Sequence, residues 1–415
     1  MIKFNHGGDK MKIYKAYKFR LYPNKIQQGL INKTLGSTRF VYNTMLYEKE
    51  KLYKENKITK SKKECIKELP LLKQTYPWLM EVDSIALATT IFDLENAFKN
   101  FYRTKNYPKY KGKYSKNSYR TNYIKNIYKN KIYENIKLDM TNKTITLPKL
   151  KNMKIRGYRK TKEIKGRIIN ATISKEINRY YVSVLYEEDL EEKNIIPKTI
   201  VGIDLGVKDL VITSYGEKYE NKKYITKYEK RIKNLQKWLS KKEKCSKNYY
   251  KIKNKIKETY KKLKNARKYI IHKITKEIVN SNDLIITETL QTKKLIEKQE
   301  MSKYISDASL SEIIRQLEYK SKWQNKHFYQ INAYYPSSQI CSHCNNKNKE
   351  MKDLNKRKWI YSKCNNENDR DINAAINIMW EGLINNIKLF TWTNIKKISL
   401  QKNEIKMSTV ATIGN

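Results

Sequence analysis

Hydrophobic and polar positions alternate along residues 12 to 22, KIYKAYKFRLY, with Ile13, Tyr17, Phe19 and Leu21 on one side and Lys18 and Arg20 on the other. That period of two predicts a half-buried strand, ended by Pro23. From Asn24 the spacing becomes helical through Ile26, Leu30, Ile31 and Leu35 and on through TRFVYNTML. A second helix is predicted after Ser84, with Leu87, Ile91, Leu94, Phe98 and Phe101 separated by three or four. Residues 24 to 105 thus read as a helical insertion. Period two returns at KTITLPKL and RYYVSVLYEE, which predicts that the first strand completes a small β-barrel with strands from residues 143 to 190.

Near Pro197 the pattern changes. TIVGIDLGVKDLVITSYGE predicts a strand, a tight turn and a second strand. Residues 222 to 280 predict a basic helical hairpin, its seams running through Ile225, Tyr228, Ile232, Leu235 and Leu239 and then Ile252, Ile256, Tyr260, Leu263, Ile270, Ile274 and Ile278. DLIITETL is another strand, DASLSEIIRQLEYKSKWQNK a helix, FYQINAYYP a strand and DINAAINIMWEGL a final helix. Strands alternating with helices indicate an α/β layer, so the fold class expected is α/β plus β.

Charge narrows the function. Lys and Arg number 89 against 41 Asp and Glu, a formal net charge of +48, which points to a polyanionic partner. The stretch TKNYPKYKGKYSKNSYRTNYIKNIYKNKIY interleaves Tyr with Lys; it suits bases stacked on rings with phosphates neutralised by lysines, and equally a solvated basic linker. Candidate nucleic-acid contacts are Lys18, Arg20, Tyr107, Lys109, Tyr110 and Lys111. No run of about 18 apolar residues exists and the first ten residues lack the core of a signal peptide, so no membrane partner is expected. The five cysteines, three of them between 341 and 364, do not form a disulfide framework and fit a reducing cytoplasm.

The candidate chemistry lies in three acids. Asp204 shares its strand face with Gly202 and Gly206, which is expected to leave room for an ion and a phosphate. Glu288 ends the strand DLIITETL, where a surface role is the alternative. Asp371 opens the last helix, where it is either a cap or a ligand. Together the three offer the hard oxygen donors that two Mg²⁺ or Mn²⁺ ions require for phosphodiester cleavage.

KAYKFRLYPNKIQQ, STRFVYNTML, YPWLMEVDS, LENAFKNFYR, GIDLGVKDLVITSYGE, RKYIIHKIT, ISDASLSEIIRQLEYKSKW, YPSSQICSHC and DRDINAAINI resemble, in this order, the TnpB-type OrfB proteins of insertion sequences. The resemblance runs from Lys12 to Leu383. It implies an RNase H-like RuvC nuclease domain with a zinc-ribbon insertion, preceded by a wedge-like barrel, and cleavage of double-stranded DNA guided by an RNA from the transposon end. It places the catalytic acids at Asp204, Glu288 and Asp371. The family's usual acid after the glutamate is Thr289 here, and His272 matches a helix histidine for which a structural or nucleic-acid-contacting role is expected. The implied domains are a wedge at 11 to 23 and 106 to 196, the helical recognition insertion at 24 to 105, the nuclease at 197 to 335, the ribbon at 336 to 366, the final nuclease helix at 367 to 385 and a tail at 386 to 415. A strand-joining transposase and a non-catalytic nucleic-acid-binding protein are the competing functions.

The ribbon departs from the pattern. Cys341 and Cys344 form one C-x-x-C knuckle, but the second is Tyr361, Ser362, Lys363, Cys364. Structural zinc takes four tetrahedral ligands and a neutral phenol replaces a thiolate poorly, so Zn²⁺ on Cys341, Cys344 and Cys364 is expected to be an impaired site. Recruitment of His343, or three thiolates and a water, are both open. Cys65 and Cys245 are expected to be packing residues.

Overall fold

The computed structural model describes residues 10 to 112, 117 to 128, 131 to 157, 164 to 191, 197 to 290, 302 to 348, 351, 357 to 361 and 363 to 386. The expected tail beyond residue 386 and Ser362 of the second knuckle lie outside them. The chain divides into two compact units, one ending at Leu190 and one starting at Glu191.

In the first unit β1 (Lys10–Tyr22) alternates as the pattern requires, with Ile13, Phe19 and Leu21 buried. Asn24 and Gln27 exchange side-chain to backbone hydrogen bonds, a reciprocal box that starts α1 (Lys25–Asn56) as one uninterrupted helix. The pattern gives no sign of α2 (Lys62–Thr75), where only Cys65 and Leu69 are buried and Pro70 lies inside; its start is fixed by a second box, Ser61 with Glu64. With α3 (Ser84–Thr104), these helices enclose a core of Val41, Met45, Leu46, Leu87, Ile91 and Leu94.

Eight further strands follow: β2 (Ser118–Asn122), β3 (Lys125–Tyr128), β4 (Lys131–Glu134), β5 (Lys137–Asp139), β6 (Thr144–Leu147), β7 (Lys151–Arg156), β8 (Arg167–Glu176) and β9 (Arg179–Glu191). The large sheet runs β2-β8-β9-β1-β7-β6-β5, and β3 pairs with β4 alone. So β1 does join the later strands, at the centre of the sheet. The end strands β2 and β5 are not paired with each other among the described residues, and the hydrogen bonding does not close a barrel. The Tyr- and Lys-rich stretch supplies β2, β3 and β4, so over those residues it is strand and not linker.

The second unit carries β10 (Ile200–Asp204), β11 (Asp209–Thr213), β12 (Lys218–Glu220), the helical hairpin α4 (Tyr224–Ser240) and α5 (Lys247–Ser281), β13 (Leu284–Glu288), α6 (Ser302–Ala308), α7 (Leu310–Trp323), β14 (His327–Ile331), β15 (Lys358–Ile360), β16 (Glu367–Asp369) and α8 (Arg370–Asn385). The sheet order is β12-β11-β10-β13-β14, with β10, β13 and β14 parallel and the hairpin strands antiparallel. One face packs on α8 through Ile286, Ile378, Met379 and Leu383. The other packs on α5 and α7 through Val201, Ile203, Ile274, Ile278, Ile313 and Leu317. Covered on both sides, β10 and β13 are apolar runs that end in an acid. Three details of this unit differ from the pattern: Ile271 takes the core position expected of Ile270, Thr259 is buried while Tyr260, expected in the seam, is exposed, and the helix expected from Asp307 breaks at Ser309, whose φ is 53°.

Candidate active site and cysteine cluster

β10 and β13 pair in parallel with Ile203 opposite Thr287, so Asp204 and Glu288, the next residue of each, end adjacent strands at the same level. Such strands lie about 4.8 Å apart. The third acid is delivered by α8. A Cβ on Gly202 would collide with the Ala375 carbonyl and the Met379 backbone, and one on Gly382 would collide with the Ile286 side chain, so α8 lies directly on the two strands. Gly202 therefore makes room for a helix and not, as expected, for an ion; Gly206 serves the turn, where a Cβ would meet the Asp209 carbonyl oxygen at 2.8 Å. Ala375 stacks over Gly202, and Asp371, one helical turn earlier, is thereby set near Asp204, two residues further along the strand.

Asp371 is not the cap. Asp369 is: its Oδ1 accepts from the Asp371 and Ile372 N–H groups, while Lys218 holds its Oδ2 at 2.6 Å. Asp371 sits in the first turn, and Arg357 donates from Nη1 to both of its oxygens at 2.9 and 2.8 Å. Burial beneath the helix, then the charges of Glu288 and Asp371, push the Asp204 carboxyl well above its ordinary range. Burial also raises Glu288 to about 7. Two neighbouring carboxyls whose ionisation burial resists are hard oxygen donors, the kind that fits a divalent cation. Their oxygens are not gathered into one tight ligand group among the described residues; only the cysteines are. Thr289, in place of the usual acid, donates to the Ile331 carbonyl at 2.6 Å and so ties β13 to β14. His272, part-buried on α5, is pushed down to about 4 by burial and then by Lys320 and Lys268, so its imidazole is neutral at pH 7.

In the ribbon, Cys341, Cys344 and Cys364 place their sulfurs within 4.8 Å of one another, with Cys341 and Cys364 at 3.8 Å. An edge of about 3.8 Å is that of a tetrahedron with zinc–sulfur bonds of about 2.3 Å, so the three fit zinc. Tyr361 is 1% exposed, edge-on to Trp359, and donates its hydroxyl to the Gln339 carbonyl at 3.1 Å. The ribbon is fastened to α8 by two asparagines that sequence reasoning passed over. Asn373 donates to the Ile340 carbonyl at 2.7 Å and accepts from the Ser342 N–H at 2.8 Å, bracketing Cys341; Asn377 donates to the carbonyls of Ser337 and Ile340. Two buried amides at i and i+4 on an otherwise apolar helix face were the available signal. Of the remaining cysteines, Cys65 is buried in the helical core as expected, whereas Cys245 is exposed.

The candidate nucleic-acid contacts have partners of their own. Lys18 is paired with Glu176 at 2.6 Å and lies over the Tyr181 ring, and the Arg20 guanidinium lies over Tyr22. Tyr107 packs edge-on against Phe98 and Phe101, Tyr110 donates to Glu50 at 2.6 Å, and Lys111 lies 3.6 Å from the centre of the Tyr42 ring. Lys109 is exposed. Among the described residues no helix is long and apolar enough to cross a membrane.

Three family models match the chain: "Helix-turn-helix domain" of the IS605 OrfB proteins over residues 11–57, "Probable transposase" of the same OrfB proteins over 182–299, and "Cas12f1-like, TNB domain" over 311–378. Across the first, the structure has a strand and one continuous helix. A "Putative RNA-guided DNA endonuclease" of Streptomyces pristinaespiralis is 29% identical over 378 residues, 90% of each chain. The "Putative RNA-guided DNA endonuclease InsQ" of Escherichia coli K12 is 28% identical over 391 residues, 90% of this chain and 93% of that one. The solved "mini-RNA-guided endonuclease CRISPR-Cas_phi3" aligns with 91% of this chain and 93% of that one at a TM-score of 0.46 and 10% identity. With OrfB models matching at both 11–57 and 182–299, a TNB model over the ribbon and the Streptomyces and Escherichia proteins aligned along nine-tenths of its length, the chain belongs to the IS605 OrfB, or TnpB, family of RNA-guided endonucleases.

Proposed function

We propose that this protein is a guide-RNA-dependent endonuclease that hydrolyses DNA phosphodiester bonds at Asp204, Glu288 and Asp371. The observation that carries the reading is the convergence of three acids from separate elements, two at adjacent parallel strand ends and one on the helix seated over them, with Asp204 feeling the charge of both others. The antiparallel hairpin followed by two parallel strands, in the order β12-β11-β10-β13-β14, is the layer that the RNase H-like expectation requires. The wedge, recognition, nuclease and ribbon assignments made from sequence belong to the same reading.

Asp204, Glu288 and Asp371 would hold two divalent cations, Mg²⁺ or Mn²⁺, whose chemistry when bound is to acidify a water and to neutralise charge on the phosphate and the departing 3′ oxygen. The chain's part is placement. Strand register fixes Asp204 beside Glu288, α8 fixes Asp371, and Arg357 engages both Asp371 oxygens until a cation takes its place. In-line attack of water then leaves 5′-phosphate and 3′-hydroxyl ends. Sequence is read by pairing between guide and target, and the excess of Lys and Arg suits the chain to hold phosphate backbones.

The test is purification from cells carrying the native locus, sequencing of the bound RNA, and cleavage assays on DNA matching its guide. A single RNA species and Mg²⁺-dependent cleavage abolished by Asp204→Ala, Glu288→Ala or Asp371→Ala, with guided DNA binding retained, is the expected result. Random cellular RNA, or parental cleavage by Asp371→Ala, refutes it.

A further inference from the structure

The two knuckles of the ribbon are copies of one six-residue piece: Cys-Ser-His-Cys-Asn-Asn from Cys341 and Tyr-Ser-Lys-Cys-Asn-Asn from Tyr361. Their backbone bonds repeat too. The Cys341 N–H donates to the Asn346 carbonyl at 2.9 Å and the Asn345 N–H to the Cys341 carbonyl at 2.9 Å; the Tyr361 N–H donates to the Asn366 carbonyl at 3.1 Å and the Asn365 N–H to the Tyr361 carbonyl at 2.7 Å. Asn345 and Asn365 share the left-handed conformation, with φ of 58° and 50°. Tyr361 thus occupies the backbone place of a ligand, and only its side chain has left the role.

Where that side chain went decides what the cluster can bind. The phenol is committed to the Gln339 carbonyl and to the ring of Trp359, inside a small core that also holds Met351. His343 is exposed and brings no nitrogen into the sulfur group, and neither does any Asp or Glu among the described residues bring an oxygen. Three corners of a tetrahedron are therefore set by protein, and no His, Cys, Asp or Glu among the described residues supplies the fourth. Cys344 and Cys364 are part-exposed, so small solutes reach the sulfurs from solvent.

We propose that Cys341, Cys344 and Cys364 form a three-thiolate zinc site whose fourth position is filled by an exchangeable small ligand, free thiols being the class it prefers. A soft thiolate matches a metal already bound by sulfur, and Lys363 beside Cys364 offsets part of the added charge. Exchange replaces a water by a thiolate sulfur and passes the thiol proton to solvent; no electrons are transferred. The inference stands on the ribbon alone and holds whether or not the nuclease assignment does.

The probe is Co²⁺, loaded into full-length protein stripped of metal and kept reduced with a phosphine, and the added ligand is 2-mercaptoethanol. The sulfur-to-cobalt charge-transfer band of the parent is expected at about three-quarters of the Tyr361→Cys intensity, rising by about a third as the thiol is added while the visible bands move to those of Tyr361→Cys. Tyr361→Cys should not respond to thiol. Tyr361→Phe, which keeps the ring in the core and folds independently of the Cys variant, should match the parent in spectrum and in thiol response. The same is expected of His343→Ala and of Glu350→Gln with Asp353→Asn, two acids outside the described residues. A parent that ignores thiol, or any of these three variants with a changed spectrum, overturns the proposal by showing the fourth ligand to be protein.

Discussion

Replacing Glu288 by Gln should stabilise the protein in the absence of divalent cation, by an amount that depends on pH. Burial lifts this carboxyl from an ordinary 4.5 to about 7, and that interval corresponds to about 3 kcal/mol, reduced to about 2 kcal/mol for a group that is part-exposed. The sign follows from proton binding. A carboxyl raised in the folded state keeps its proton longer there than in the unfolded chain, so its contribution is complete below about pH 4.5 and is lost as the pH climbs through 7. At pH 8 the parent folds with an ionised Glu288 beside Asp204, and the Gln variant does not. Thermal unfolding in Mg²⁺-free buffer, with zinc left in the ribbon, should place the Glu288→Gln Tm about 4 to 8 °C above the parent at pH 8 and level with it at pH 4.5. Added Mg²⁺ should then stabilise the parent more than the variant and narrow the gap. A gain of the same size at both pH values would refute the electrostatic account, because a packing effect does not titrate.

Three more outcomes are expected. Arg357→Gln removes the bidentate partner that competes for both Asp371 oxygens, and should lower the Mg²⁺ concentration for half-maximal cleavage about fivefold; a rise instead would make Arg357 a positioning group. Asn373→Ala removes two buried hydrogen bonds around Cys341 and should cost about 2 to 4 kcal/mol, with faster amide exchange at Ser342 and faster zinc loss to a chelator as the readouts. Gly202→Ala sets a methyl against the Ala375 carbonyl and should destabilise the nuclease unit by about 3 kcal/mol or more in denaturant titrations, with cleavage lost.

Much of this architecture was legible because it rests on periodicity. β1, the β10 and β11 pair, the helical hairpin and α8 each carry an apolar spacing that only one backbone geometry buries. α2 escaped because two buried residues make no seam and Pro70 obscures it, while its true signal, Ser61 with Glu64, is local capping chemistry. β2 escaped because tyrosine serves burial and exposure alike: Tyr119 is 6% exposed within a stretch of Tyr and Lys that resembles solvated chain. Asp204 and Glu288 stood out as carboxylates in apolar strands, and Asp371 as an acid at the start of the last helix. Arg357, Asn373 and Asn377 did not, since their partners are distant in sequence and are found only once α8 is in register on the sheet. Gly202 was noticed for the right anomaly and given the wrong tenant, because an empty Cβ position does not say which neighbour fills it.

The close seating of α8 makes it a lever. Its tightest contact, Ala375 on Gly202, is a fulcrum about 6 Å along the helix axis from Asp371, and Gly382 on Ile286 lies about 10 Å away on the other arm. Lifting the Gly382 end by 1 Å would rock Asp371 by about 0.6 Å in the opposite direction, toward a displacement that costs about a hundredfold in rate when it reaches 1 Å. The placement of Asp371 is thus held from both ends of one rod, and a single methyl group added at Gly382, eleven residues away, is felt there as torque.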